Sequence, residues 1–423
     1  MLFALVVAAG RPSCFECSDI AGWPVVFLIY GERGPHRKAF SVICAIIHVV
    51  RKSFQYRLFP TKQQARVMQA TLEECRWLYN HLLEQRKTAW DEREETLRLY
   101  DQQATFIALK AARPSLTTIY SQVLQDVAVR LDLAMKAFLR RVKAGDKPGY
   151  PRFRGFGRYD SFCYPQSGFS INAEHQRVRL SKIGSVKVVL HRPIHGKIKT
   201  CCVRRSSTGK WYVTFSCEDV PADIVPASTD VVGIDVGLTH FATLSTGEQI
   251  ANPRFFRSDE RALAKVQRRL SKESKGTPER AKRRKPVTRI HERIAFRRHD
   301  FTHQTARRLV NRFGVLAVED LSISRMVHNH CLSKSIHDAA WGQFSEILSS
   351  KAESAGREYI KVNPAYTSQD CSGCGHRQAM PLSERTYRCL CCGLHLGRDL
   401  NAALNIRARG QPSPGFVPKS SRL

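Results

Sequence analysis

From Val50 onward the hydrophobic pattern changes period several times, and each change predicts an element. Phe54-Gln55-Tyr56-Arg57-Leu58-Phe59 alternates as a strand does, and Pro60 ends it. Thr61 stands three residues before Gln64, a capping-box spacing. The helix it opens aligns Met68, Leu72, Cys75, Leu78 and Leu82 on one face. A second amphipathic segment, Ser115 to Val142, carries Leu116, Ile119, Val123, Val127, Leu131, Met135 and Phe138 before Gly145 and Pro148 stop it. Residues 61–146 therefore read as a helical domain with an apolar core. Strand-like runs return at Val186–Leu190 and Lys210–Ser216 and predict a small β-barrel or sheet, with Pro221–Pro226 as the linker out of it.

Three later segments are apolar runs with an acid at the edge. Val231–Ser245 (VVGIDVGLTHFATLS) carries Asp235, Gly314–Asp320 (GVLAVED) carries Glu319, and Gly397–Ile406 (GRDLNAALNI) carries Asp399. Phosphodiester hydrolysis needs an activated water and a stabilised leaving oxygen, which two divalent cations about 3.5–4 Å apart supply. Magnesium prefers carboxylate oxygens, so two or three acids on rigid elements suffice to hold it. One such acid alone reads equally well as a strand-end residue facing solvent; three in core-forming segments point to one site.

Charge narrows the partner. Lys+Arg 68 against Asp+Glu 37 leaves a net +31, more than solubility requires, and implies a polyanion such as nucleic acid. A membrane is disfavoured, because no apolar stretch approaches the roughly 20 residues of a spanning helix. The helical region of about 258–312 is almost single-signed, with Arg268, Arg269, Lys282, Arg283, Arg284, Lys285, Arg297 and Arg298 as candidate phosphate contacts. Before it, GYPRFRGFGRYDSFCYP interleaves Arg152, Arg154 and Arg158 with Tyr150, Phe153, Phe156, Tyr159 and Phe162. That mixture suits phosphate pairing and base stacking, or else an aromatic core with solvated arginines.

Cysteine spacing gives the sharpest motif. Cys371-x2-Cys374 and Cys389-x2-Cys392 form two knuckles able to place four thiolates on one structural zinc, with Cys391 as a possible competitor inside the second. The other cysteines are scattered through a large charged chain, which fits a reducing compartment. Residues 1–48 read as an appendage: MLFALVVAAG lacks the basic start of a signal peptide, and Cys14-x2-Cys17 reads as two free thiols.

From about Arg51 to Arg409 the chain resembles the TnpB proteins of IS200/IS605-type transposons, which are similar to miniature type V CRISPR effectors. The resemblance rests on FQYRLFPTKQQ, GYPRFRG, VVGIDVGLTHFATLS, LAVEDLSI, HDAAWGQF, NPAYTSQDCSGCG, CLCCG and RDLNAALNIR, in that order. It implies an α/β and α+β multidomain protein: a RuvC-like RNase H fold with an inserted zinc ribbon, preceded by a wedge-type β-barrel with an inserted helical recognition domain. The expected parts are an appendage (1–48), the barrel's first strand (49–60), the helical domain (61–146), the rest of the barrel (147–226), the first nuclease part (227–363), the ribbon (364–396), the last nuclease helix (397–410) and a tail (411–423). The acids Asp235, Glu319 and Asp399 would be the magnesium-binding catalytic set, and Tyr100 and Gln125 would read a short motif flanking the target. The implied partners are a guide RNA from the transposon end and matching double-stranded DNA, in a monomeric cytoplasmic ribonucleoprotein. One departure is Leu396-Gly397 before Arg398-Asp399, where relatives often carry a further Asp. Two other readings stay open: a catalytically idle nucleic-acid-binding regulator of transposition, and a strand-transfer transposase.

Overall fold

The computed structural model describes residues 49–381 and 383–411. The expected appendage with Cys14 and Cys17, and the tail beyond Gln411, lie outside them. Strand β1 (Val49–Phe59) leads into helix α1 (Lys62–Arg93), then α2 (Leu99–Ala104), α3 (Phe106–Ala112), a 3-10 turn at Pro114–Thr118, and α4 (Ser121–Lys143). The capping box forms: Thr61 Oγ1 accepts from the Gln64 amide at 3.2 Å while the Gln64 side chain accepts from the Thr61 amide at 3.0 Å. Met68, Leu72, Cys75, Leu78 and Leu82 are buried, as their spacing predicts. The expected continuous segment Ser115–Val142 is corrected. Pro114 opens only a 3-10 turn, and extended backbone at Ile119 and Tyr120 separates it from α4.

Six more strands follow, β2 (Ser161–Tyr164), β3 (Phe169–Asn172), β4 (Arg177–Leu180), β5 (Gly184–Val189), β6 (Lys197–Arg205) and β7 (Trp211–Pro221). With β1 they form an antiparallel sheet in the order β2-β6-β7-β1-β5-β4-β3. Its two edge strands are consecutive in the chain and joined by residues 165–168 alone, and the Tyr164 hydroxyl donates to the Ser181 carbonyl at 3.0 Å. The sheet therefore rolls into a near-closed barrel, which leaves little unpaired edge. Leu82 and Leu131 of the helices share one core with Phe162, Val203 and Phe215 of the barrel. Cys163 and Cys202, opposite each other on β2 and β6, are joined by a disulfide. That pairing depends on a strand register that cysteine spacing does not encode.

The chain then enters a second sheet through residues 222–230. The expected linker is pinned: Asp223 accepts from Lys52 of β1 at 2.7 Å and from Arg307 at 2.7 Å. Strands β8 (Val231–Val236), β9 (His240–Leu244) and β10 (Gln249–Ala251) are antiparallel neighbours; helices α5 (Phe255–Ser271) and α6 (Pro278–Arg312) precede β11 (Val315–Glu319). The basic region is thus two helices, broken at residues 272–277, where the Thr277 side chain caps α6. After α7 (Ile323–Met326), α8 (His330–Ala339) and α9 (Trp341–Ser354) comes β12 (Glu358–Val362), and the sheet order is β10-β9-β8-β11-β12, with β8, β11 and β12 parallel. Central parallel strands need cover on both faces, and β11 reads as a continuous apolar run for that reason. On one face Val232, Ile234, Leu316 and Val318 pack among Leu309, Val310, Phe344 and Leu348 of α6 and α9. A small hairpin, β13 (Thr386–Arg388) and β14 (His395–Gly397), leads to the final helix α10 (Arg398–Arg409), whose Ile406 packs with Ala317 and Val362. Among the described residues no helix is long and apolar enough to cross a membrane.

Candidate active site and metal centre

Register builds the acid cluster. Val231 to Ile234 of β8 stand opposite Val315 to Val318 of β11, so the next residues on each strand are Asp235 and Glu319. Neighbouring parallel strands run about 4.8 Å apart, and residues at one level point to the same face. Because Ile234 and Val318 face α6 and α9, the two acids turn the other way, with Gly233 and Ala317. Helix α10 covers that face. A Cβ on Gly233 would lie 2.0 Å from the Ala403 carbonyl oxygen, so only glycine admits the helix backbone at this distance. Asp399, one turn earlier in α10, is thereby carried to Asp235, whose carboxyl feels the charges of both Glu319 and Asp399.

The cluster is electrostatically costly. Burial, then the charges of Glu319 and Asp399, raise Asp235 well above the usual carboxylate range, with Arg398 opposing. Burial also raises Glu319, against a hydrogen bond from Thr367 and the charge of Arg409. The Thr367 hydroxyl donates to Glu319 Oε1 at 2.5 Å and fixes the carboxylate. Asp399 also faces Arg398 at 3.5 Å and Arg385 at 4.0 Å, and among the described residues the three carboxylates do not converge as closely as the cysteines below. A hard divalent cation fits this donor set: it would offset the burial and relieve the like-charge crowding that together raise Asp235.

The four cysteines converge tightly. Sγ of Cys371, Cys374, Cys389 and Cys392 all lie within 4.8 Å of one another, with Cys371 to Cys392 and Cys374 to Cys389 each at 3.6 Å. Metal–sulfur bonds near 2.3 Å in a tetrahedron require about this spacing, and the all-thiolate set is that of structural zinc. In both knuckles a glycine follows the second cysteine at positive φ, Gly375 at 77° and Gly393 at 74°, and its amide closes the turn on the first cysteine's carbonyl. Amides of Cys392 and Cys391 directed at the Cys389 thiol help lower it to about 6, while, against amides of His376 and Leu394 respectively, the crowded thiols push Cys374 up to about 12 and raise Cys392, so the four do not ionise alike. Cys391 itself is exposed and outside the group.

Residues that the sequence reading missed join the two centres. Asn401 Nδ2 donates to the Asp370 carbonyl at 2.8 Å and its Oδ1 accepts from the Ser372 amide at 2.9 Å; Asn405 Nδ2 donates to the carbonyls of Thr367 and Asp370 at 2.8 and 2.7 Å. These side chains fasten α10, and with it Asp399, to the first knuckle. Two asparagines four apart on the apolar face of RDLNAALNI were the available clue, since buried amides demand partners.

The nucleic-acid candidates scatter. Tyr100 is 79% exposed at the start of α2, beside an apolar groove that also includes Trp90, Leu139 and Tyr150; Gln125 is exposed on α4. Arg152, Arg154 and Arg158 are exposed, and the Arg154 backbone is held by Asn80 of α1. Phe153 and Phe156 are exposed while Tyr159 and Phe162 are buried, so the aromatic-core alternative holds only for the latter pair. Arg268, Arg269, Arg283 and Arg284 are exposed along α5 and α6, although Arg283 faces Glu273 at 3.5 Å. Arg297 and Arg298 depart from the expected free cations. Arg297 pairs with Asp259 at 3.6 Å, and Arg298, less exposed, donates to the Asp338 carbonyl at 3.0 Å and its carboxylate at 3.2 Å.

The OrfB/IS605 model, described as "Probable transposase", matches residues 214–330; a Cas12f1-like TNB domain matches 341–406 and a helix-turn-helix domain 50–95. A protein of Streptomyces pristinaespiralis named "Putative RNA-guided DNA endonuclease" is 34% identical over 369 residues, covering 85% of this chain and 90% of its own. InsQ of Escherichia coli K12, named likewise, is 29% identical over 377 residues, covering 85% and 92%. A solved Cas12f1–sgRNA–target DNA complex aligns with TM-score 0.34 at 15% identity, covering 87% of this chain and all of that one.

Proposed function

The chain belongs to the TnpB family of OrfB/IS605 transposon proteins, and from that premise we propose that it is an RNA-guided DNA endonuclease hydrolysing phosphodiester bonds at Asp235, Glu319 and Asp399. The observation that carries the proposal is the register that sets Asp235 and Glu319 at the same level on adjacent parallel strands, with α10 bringing Asp399 over them. An antiparallel three-strand half followed by two parallel strands supports reading the second sheet as a RuvC-like RNase H fold. The seven-stranded barrel then corresponds to the wedge domain, and α1–α4 to the recognition insertion.

Magnesium bound by these acids supplies an activated water and counter-charge for the leaving oxygen. Asp235 offers its carboxylate from the rigid centre of the sheet, Thr367 keeps Glu319 turned into the site, and Asp399 follows α10. Zinc on Cys371, Cys374, Cys389 and Cys392 leaves no open position, so its part is to hold the ribbon that anchors α10. Guide pairing reads the target, while exposed arginines of α5, α6 and residues 152–158 contact backbone phosphates, and Tyr100 and Gln125 face the flanking motif. The complex acts as a cytoplasmic ribonucleoprotein of one protein chain. The test is cleavage of a flank-matched plasmid by protein co-expressed with transposon-end RNA. Wild type cuts with magnesium and Asp235→Ala does not; equal cutting by both removes the assignment, and RNA-dependent binding without metal-stimulated cutting favours the idle regulator.

A further inference from the structure

Tyr366 holds its backbone at φ +64°, in the left-handed region that bulky side chains avoid. Its carbonyl accepts amides of Gln369 at 3.0 Å and Asp370 at 2.9 Å, which impose the turn. Asparagine or glycine would hold the same backbone more easily, so the aromatic ring calls for a use of its own. The ring is 49% exposed, and the Arg377 guanidinium lies over it at 3.8 Å from the centroid. Arg377 is in turn fixed by Asp370 at 2.6 Å, and Asp370 by Arg409 of α10 at 2.8 Å. This leaves a rigid aromatic plate with a cation behind it.

The plate's position is informative. Val362 of β12 is level with Glu319, so Tyr366 lies just beyond the sheet end that carries the acids, and the next residue, Thr367, holds Glu319. Rings at such a point stack any base, while a neighbouring guanidinium attracts the phosphate between bases. We propose that Tyr366, backed by Arg377, is the stacking platform for a nucleobase beside the scissile phosphate of a single DNA strand entering the acid site. The inference rests on the endonuclease reading for its substrate.

The test has two arms. In the first, the protein with its bound RNA is irradiated with a 5-iodouracil-substituted single-stranded oligodeoxynucleotide, and the crosslinked peptide is identified by mass spectrometry. A crosslink to Tyr366 is expected; its absence overturns the proposal. In the second, cleavage rate, zinc content and melting temperature are compared for wild type, Tyr366→Phe and Tyr366→Gly. Gly, free of the backbone strain, melts no lower and keeps zinc, yet cuts about tenfold more slowly or worse than Phe, which retains the ring. Wild-type cutting by Tyr366→Gly, or slow cutting that tracks a loss of zinc or stability, overturns stacking and leaves the endonuclease reading standing. A crosslink to Tyr366 with no cutting by wild type would do the reverse.

Discussion

Each half of the four-cysteine cluster is made within one short turn, Cys371–Gly375 or Cys389–Gly393, whereas the carboxylates come from positions 235, 319 and 399 and meet only when β8, β11 and α10 pack. In the first centre the backbone turns gather the four sulfurs within 4.8 Å of one another. In the second, burial and like charges oppose the ionised form of Asp235. One centre stabilises the fold when filled; the other is held open by the fold against its own repulsion. Asn401 and Asn405 connect them, so the segment that leads into the first knuckle fixes α10 and with it Asp399.

The most severe way to break the contrast is Asp235→Asn. Cleavage should fall on the order of a thousandfold or more, the scale of several kcal/mol of metal-held charge, while the magnesium-free protein melts at a higher temperature because a repelled buried carboxylate is gone. Plasmid cleavage and calorimetry on one preparation check both halves. Next is Cys389→Ser, expected to lose zinc by elemental analysis and, through a loosened α10, most of the cutting. Nucleic-acid retention by α5 and α6 survives it, and Cys391→Ser changes neither zinc content nor cutting.

Thr367→Val sharpens the comparison, since it removes only the hydroxyl that orients Glu319. About a tenfold slower cleavage is expected, the worth of one hydrogen bond to a charged group, with zinc content unchanged. The pH dependence differs in sign from that of a paired acid. Asp235 has a folded-state value above its unfolded one, so the stability it contributes is present below the unfolded value and lost as pH rises through the folded value. Melting temperature in magnesium-free buffer should therefore decline through that range in wild type and decline less in Asp235→Asn. Smallest is Arg268, Arg269 and Arg284 changed together to Ala: DNA affinity weakens alike for all sequences, and the slope of log affinity against log salt becomes shallower by about 1 for each phosphate that is no longer neutralised.

Features encoded over a few residues were legible without coordinates. The capping box at Thr61, the buried face of α1 and both knuckles follow from spacing alone. Less was visible in the barrel, where β2, β3 and β4 have only four residues each and too little alternation to stand out. Arg298 looked like its exposed neighbours until α6 was placed against Asp338. Thr367 lies within NPAYTSQDCSGCG, yet nothing local tells that its hydroxyl meets an acid far earlier in the chain.

By itself the sequence determined β1, the buried face of α1, the cysteine knuckles and the excess positive charge, and singled out three acids, because each depends on neighbours within a turn or two, or on composition. Tertiary structure decided that Asp235 and Glu319 share a level and a face, that Gly233 admits α10, and that Tyr366 stands at the site's edge beneath Arg377. Those relations arise from strand register and helix packing, which join residues whose separation along the chain carries no record of their meeting.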